Sequence, residues 1–62
     1  NLAIKFNPNY ANAYYNRGIV RNDLGDNPAA IDDYNIAIKC NPNDAKAYYN
    51  RGVVLSELGD KP

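Results

Sequence analysis

The segment AYYNRG at residues 13–18 decides the fold, because it returns unchanged 34 residues later at residues 47–52. Working outward from it, an overlay of residues 1–28 on residues 35–62 gives nineteen identical pairs out of 28. Self-similarity at a fixed period of roughly 20 to 50 residues is the signature of a protein built from stacked structural units. The chain is therefore predicted to be a repeat protein.

Each period is predicted to contain two helices. In the first helix, Asn9 or Asn43 is the expected N-cap, and Gly25 or Gly59 is the expected left-handed residue after the C-terminus. Positions on a common face follow helical spacing. The core-facing residues predicted in this way are Tyr14, Gly18 and Arg21 in the first copy, and Tyr48, Gly52 and Leu55 in the second.

The second helix of the period is predicted to begin at Asn27-Pro28, a capping residue followed by a proline at the first helical position. Pro42 prevents a simple continuation beyond the end of this helix. Small residues at the predicted contact would let the two helices of a pair approach closely, as an antiparallel hairpin. The predicted apolar stripe consists of Ala30, Ile31, Tyr34, Ala37 and Ile38.

These residues resemble the motif of the tetratricopeptide repeat (TPR) family, which has a period of 34 and the pattern W-x₂-L-G-x₂-Y…A-x₃-F…P. The matching positions are Tyr14 and Tyr48 for Trp, Gly18 and Gly52 for Gly, Ala30 and Tyr34 for the A-x₃-F step, and Pro8 and Pro42 at the repeat ends. Arg17 and Arg51 stand in the Leu position, as in a subfamily whose first helices read Tyr-Asn-Arg-Gly. The resemblance implies an all-α fold of antiparallel helix-turn-helix repeats stacked as a right-handed α-solenoid.

The resemblance divides the chain into three parts. Residues 1–10 correspond to a partial second helix of a preceding repeat, residues 11–44 to a complete repeat, and residues 45–62 to the first helix and turn of a following one. About three repeats are normally needed for an independent core. We therefore expect a piece of a longer protein that is marginally stable, or that forms homo-oligomers through its open repeat ends.

Composition argues against several classes of function. Seven basic residues balance seven acidic ones, so no field attracts nucleic acid or an anionic membrane. No apolar run approaches the roughly 20 residues of a membrane span, and the absence of His removes the usual zinc ligand and general base. We expect a cytoplasmic, soluble, non-enzymatic protein without cofactor or metal.

The remaining candidates for catalytic residues are better interpreted as residues with a structural role. Cys40 has no His partner to make it a nucleophile, and its counterpart one period earlier is Phe6, which indicates an apolar packing position. Asp32 and Asp33 are adjacent on a helix and point about 100° apart, so they cannot form a catalytic pair.

A candidate binding surface contains Tyr15 and Tyr49, the residues that follow the core-facing Tyr14 and Tyr48. One residue corresponds to a rotation of about 100° round the helix. The resemblance implies that this face lines a concave groove that binds a peptide or protein, and exposed Tyr and Asn suit such surfaces. A C-terminal carboxylate is disfavoured as ligand, because Tyr15 and Ile19 occupy the positions where chaperone adaptors of the family carry Lys and Asn. The predicted partner-binding residues are Asn12, Tyr15, Asn16, Ile19, Lys46, Tyr49, Asn50 and Val53.

Two alternatives to ligand binding remain open from the sequence: a structural spacer or self-assembly segment that binds nothing itself, and a regulatory array of an enzyme. Leu2 and Ile36 are apolar where the family usually has a charged residue, so they are candidates for self-association or for local packing. Arg17 and Arg51 recur beside a glycine and are expected to be partly buried and paired, with Asp33 as the preferred acid.

Overall fold

The computed structural model describes residues 7–59 and contains three helices in that range. They are α1 (Pro8–Asp23), α2 (Asn27–Cys40) and α3 (Ala45–Gly59). The range contains no strand, and the prediction of an all-α helical repeat fold is confirmed. None of these three helices is long and apolar enough to cross a membrane.

Contacts between the helices show that neighbours run antiparallel. Asn7, just before α1, donates its backbone N–H to the carbonyl of Cys40 at the end of α2, at 2.7 Å. On the other side of α2, Arg51 in α3 contacts Asn35. Because these two residues lie at similar distances from the turn that joins α2 to α3, the two helices must run in opposite directions. The helix α2 therefore packs against both α1 and α3.

Two helix starts differ from the sequence prediction by one or two residues. The side chain of Asn7, not Asn9, caps α1 by accepting the N–H of Tyr10, and Pro8 follows as the first helical residue. Asp26 caps α2 by accepting the N–H of Ala29, so that Asn27 is already helical. A proline near the N-terminus of each helix fits because its missing N–H would have no helical partner.

The third helix and the C-terminal glycines correct further details. Asp44, not Asn43, accepts the N–H of Ala47 at the start of α3. Gly25 has a φ of 87°, which confirms it as the left-handed residue after α1. Gly59 is instead the last residue of α3 and does not adopt a positive φ.

The core is centred on α2, as its stripe predicts. Ala30, Tyr34 and Ala37 are almost completely buried, while Ile31 and Ile38 are half-buried. Val54 from α3 joins Ala30 and Tyr34 in one apolar cluster. The residues that pack around this cluster are Tyr15, Ile19 and Ile31.

The predicted core face of α3 is wrong. Gly52 is exposed, and Tyr48 and Leu55 are 43% and 49% exposed, although the equivalent Gly18 of α1 is buried. The reason is that α2 packs against both neighbouring helices but uses a different face of each. It contacts the Gly18 face of α1 but the opposite face of α3, which contains the buried Ala47 and Val54.

Candidate functional site

The eight predicted partner-binding residues come from two helices that lie side by side in front of α2. We call their shared surface the α1–α3 face. Its residues in α1 are Asn12, Tyr15, Asn16 and Ile19, and its residues in α3 are Lys46, Tyr49, Asn50 and Val53.

Three of these residues form a cluster that links the two helices. Asn50 donates its side-chain N–H to the hydroxyl oxygen of Tyr15 at 3.0 Å and to the backbone carbonyl of Lys46 at 3.0 Å. The ammonium group of Lys46 lies 5.4 Å from the centre of the Tyr15 ring, within the range of a cation–π contact. The ring of Tyr15 also packs against Tyr34, with 6.0 Å between the ring centres.

Tyr15 and Tyr49 have different environments despite their equivalent positions. Tyr15 is half-buried, and its hydroxyl accepts a hydrogen bond from Asn50. Tyr49 is 71% exposed. The expectation that both tyrosines are freely exposed is therefore wrong for Tyr15, because α3 lies beside it.

A second link joins the same two helices through residues that the sequence pattern also places on this face, Asn22 and Glu57. Asn22 donates its side-chain N–H to Asn27 at 2.7 Å and to the carboxylate of Glu57 at 3.2 Å. Asn22 is seven residues after Tyr15, and Glu57 is seven after Asn50. Because seven residues are almost two helical turns, Asn22 lies on the same face of α1 as Tyr15, and Glu57 lies on the same face of α3 as Asn50.

The other residues of the α1–α3 face form an apolar strip, with a positive charge at one end and a negative charge at the other. Ile19 is half-buried and Val53 is 37% exposed, while Asn12 and Asn16 are exposed. Lys46 stands near the start of α3 and Glu57 near its end. Such a surface offers apolar contact and hydrogen bonds.

The arginine of each repeat is paired, as predicted. Arg17 binds the carboxylate of Asp33 with two hydrogen bonds, from Nε at 2.9 Å and from Nη2 at 2.8 Å. Asp33 is buried, and Arg21 lies 3.6 Å from it as a second cation. The hydrogen bond to Asp33 raises the pKa of Arg17. Arg51 instead donates from Nη1 to the amide oxygen of Asn35 at 2.7 Å.

The other candidate residues lie away from the α1–α3 face. Cys40 is buried, which fits the predicted packing position. Ile36 is half-buried on α2, and Leu2 lies outside the described residues. A shallow hollow of about 150 Å³, lined by Ala13, Tyr14 and Arg17, opens on α1.

One core residue, Tyr34, has a shifted acidity. Burial raises the pKa of Tyr34, with smaller contributions from Tyr15 and nearby carboxylates. Among residues 7–59, no group of three or more His, Cys, Asp or Glu side chains is arranged to hold a metal ion.

Comparison with known families agrees with this architecture. A family model described as "TPR repeat" matches residues 20–59, and one described as "Tetratricopeptide repeat" matches residues 1–32. No curated protein and no solved structure matches the chain. Because one of these models covers more than half of the chain and the described helices are those of a helical repeat, the chain belongs to the tetratricopeptide repeat family.

Proposed function

We propose that the chain is a protein-interaction module that binds a peptide or protein segment on the α1–α3 face and catalyses no reaction. Membership of a family of interaction scaffolds supports the general class. The observation that carries the choice of face is the exposed Tyr49, which stands beside Val53 on helices held together by side-chain hydrogen bonds. Binding hot spots typically consist of a large aromatic side chain on a well-packed, rigid surface, and Tyr49 on these linked helices fits that description.

The chemistry of the face favours an extended peptide with mixed character. Tyr49 and Val53 provide apolar contact, and the exposed amides of Asn12 and Asn16 can donate and accept hydrogen bonds to a peptide backbone. Lys46 lies 3.9 Å from the carboxylate of Asp44, but its side chain is 65% exposed and can also pair with an acidic side chain at the end of the face where α3 begins. The ligand is therefore a peptide with an apolar residue and an acidic residue.

Selection from a library of random peptides displayed on phage, with the folded chain as bait, tests this function. Selected peptides should bind the Tyr49→Ala variant at least about tenfold more weakly, as expected for loss of a hot-spot residue. Tyr10→Ala is the matched control, because Tyr10 is also exposed, at 62%, but belongs to the opposite side of α1. Binding that survives Tyr49→Ala, or that is lost equally in Tyr10→Ala, would exclude the α1–α3 face.

A second candidate function is self-assembly through the outer surface of α2. The observation in its favour is Ile36, a half-buried apolar residue between the exposed Asp32 and Lys39. Ile36→Lys should then lower the mass of the chain in solution, measured by light scattering after gel filtration, without changing its helicity. An unchanged mass would leave Ile36 a local packing residue.

The proposal also includes the setting in which the module works. We place it in the cytoplasm, because its one cysteine is a buried thiol that needs no oxidising environment. Balanced charge disfavours nucleic acid and anionic membranes as partners.

A further inference from the structure

Two carboxylates lie at the same end of the α1–α3 face. Asp23 is the last residue of α1, and Glu57 is in the last turn of α3. Asn22, the neighbour of Asp23, donates its side-chain N–H to Oε1 of Glu57 at 3.2 Å and so holds the two helix ends beside each other. Both acidic residues are exposed, and among residues 7–59 neither forms an ion pair. Within the described part of the chain, their charges are therefore not neutralised.

The helices themselves disfavour negative charge at these two positions. The C-terminal end of a helix carries partial negative charge, so a carboxylate there is unfavourable. Asp23 and Glu57 lie at such ends of two helices that run side by side in the same direction. The N-terminal end of α2 is the opposing positive end, but the carboxylate of Asp26 already caps it. A cation bound at this end of the face would therefore relieve repulsion that the fold leaves in place.

A buried hydroxyl group faces the same carboxylates. Tyr34 is 1% exposed, and among residues 7–59 its hydroxyl has no hydrogen-bond partner. No fully buried polar side-chain atom in that range lacks a partner, so the hydroxyl oxygen reaches the surface. Burial is the main reason that the pKa of Tyr34 is raised, followed by the charges of Tyr15, Asp23, Asp33 and Glu57. Because such charge effects weaken with distance, the hydroxyl lies near both Asp23 and Glu57.

These three groups suit an organic cation with several N–H donors better than a metal ion. Two carboxylates on different helices and one hydroxyl oxygen are all hydrogen-bond acceptors. The described residues include no group of three or more His, Cys, Asp or Glu side chains that could hold a metal ion. A guanidinium group has five N–H donors in a planar fork, so it can bind acceptors on more than one helix at once. Arginine therefore fits this end of the face.

We propose that Asp23, Glu57 and the hydroxyl of Tyr34 form a site for the guanidinium group of an arginine in the peptide that binds the α1–α3 face. The inference rests on the function proposed for that face and adds a second charged contact to it. All three residues belong to α1, α2 and α3, so the site does not depend on what precedes or follows these helices.

The position of the site also sets the spacing of charges in the ligand. Lys46, which pairs with the acidic residue of the ligand, is eleven residues before Glu57 on α3. At about 1.5 Å per residue, this separation is about 16 Å along the helix. An extended peptide covers that distance with about five residues at about 3.3 Å each. The ligand is therefore a peptide whose acidic residue and arginine lie about five positions apart, with the apolar residue between them.

The small molecule Nα-acetyl-arginine amide tests the site without a peptide ligand. Titration into the ¹⁵N-labelled chain at millimolar concentrations should shift the backbone amide signals of Asp23 and Glu57 in nuclear magnetic resonance spectra. Nα-acetyl-citrulline amide has nearly the same shape without the charge, and it should bind at least about tenfold more weakly. Equal shifts with the citrulline compound, or larger shifts of the same signals with magnesium chloride, would overturn the proposal.

Substitutions that remove one charge each locate the bound arginine compound. Asp23→Asn combined with Glu57→Gln should weaken its binding at least about tenfold. The Tm of this variant should stay the same or rise, because two helix ends lose an unfavourable charge. Tyr34→Phe, which removes only the hydroxyl, should also weaken binding. Asp32→Asn is the matched control at an exposed position of α2 and should leave the affinity unchanged. Undiminished binding to the double variant, or an equal loss in Asp32→Asn, would overturn the proposal.

Peptides selected on the α1–α3 face separate this inference from the proposed function. In peptides whose binding depends on Tyr49, replacing arginine by citrulline should weaken binding at least about tenfold to the parent chain but not to the Asp23→Asn, Glu57→Gln variant. Peptides that depend on Tyr49 but bind equally well with citrulline would overturn the inference and leave the proposed function standing. Tyr49→Ala should leave binding of the small arginine compound unchanged, and an absence of binding by that compound to the parent chain would overturn the inference whatever the peptides show.

Discussion

Gly18→Ala and Gly52→Ala make the same chemical change at equivalent positions and should have opposite effects on stability. Alanine favours a helix over glycine by about 1 kcal/mol, and both variants gain from this preference. At Gly52 nothing within 4 Å opposes the added methyl group. Gly52→Ala should therefore stabilise α3 by up to about 1 kcal/mol.

At Gly18 the added methyl group meets the core. Its distances to three ring carbons of Tyr34 would be 2.6, 2.9 and 3.1 Å, whereas carbon atoms normally pack at about 3.5 to 4.0 Å. The ring is 1% exposed and packs with Ala30 and Val54, so it cannot move away freely. Overpacking of this kind costs about 1 to 3 kcal/mol.

The comparison of the two variants isolates this steric cost, because the helix preference is common to both. Gly18→Ala should be less stable than Gly52→Ala by about 1 to 3 kcal/mol, or by at least about 4 °C in Tm for a chain of this size. Urea and thermal unfolding followed by far-ultraviolet circular dichroism measure the difference. Gly18→Ala should become stabilising in a Tyr34→Leu background, where the ring is gone. If Gly18→Ala is as stable as Gly52→Ala, the close contact with Tyr34 does not exist.

Three further substitutions test contacts inside the fold by urea unfolding. Asp33→Asn should lower the free energy of unfolding by about 1 to 2 kcal/mol, because the buried Asp33 loses charge-assisted hydrogen bonds to the half-exposed Arg17. Asp32→Asn, at an exposed position, is the control. Equal effects of the two substitutions would contradict the buried pair. Asp44→Ala should lower the free energy of unfolding by about 1 kcal/mol because α3 loses its N-cap, whereas Asn43→Ala should leave it unchanged. The reverse order would show that Asn43 is the cap. Because burial raises the pKa of Tyr34 above 10.0, stability should be fully present below about pH 10 and should fall at higher pH, where only the unfolded chain ionises this phenol. Tyr34→Phe should flatten that fall, and an unchanged pH profile would refute the assignment.

Much of the fold could be predicted from the periodicity of the sequence. The spacing of apolar and small residues reflects contacts between the two helices of one pair. The stripe of α2 and the left-handed Gly25 depend on local spacing and backbone preference, and both are confirmed. The pairing of Arg17 with Asp33 was also predictable, since a charge beside a tightly packed glycine needs a partner. These features lie in α1, in α2 and in the turn between them.

The helix starts could not be fixed from the sequence, because several residues near each turn are good caps. Asn7 and Asn9 both suit the start of α1, and local preference does not choose between them. The hydrogen bond from the backbone N–H of Asn7 to Cys40, at 2.7 Å, ties Asn7 to the end of α2. The earlier start of α1 is therefore accompanied by a contact between two residues that are far apart in the sequence, Asn7 and Cys40.

The environment of a residue in this chain depends on its neighbouring helix more than on its own sequence. The links between α1 and α3 join residues 35 apart, Tyr15 to Asn50 and Asn22 to Glu57, which is one more than the period of 34. The helix α3 thus holds α1 through residues shifted by one position relative to the period. A further first helix beside α3, with an Asn at the matching step, would bind the hydroxyl of Tyr49 as Asn50 binds that of Tyr15. Among residues 7–59 Tyr49 has no such hydrogen-bond partner and is 71% exposed, so its surroundings, rather than its identity as tyrosine, distinguish it from Tyr15.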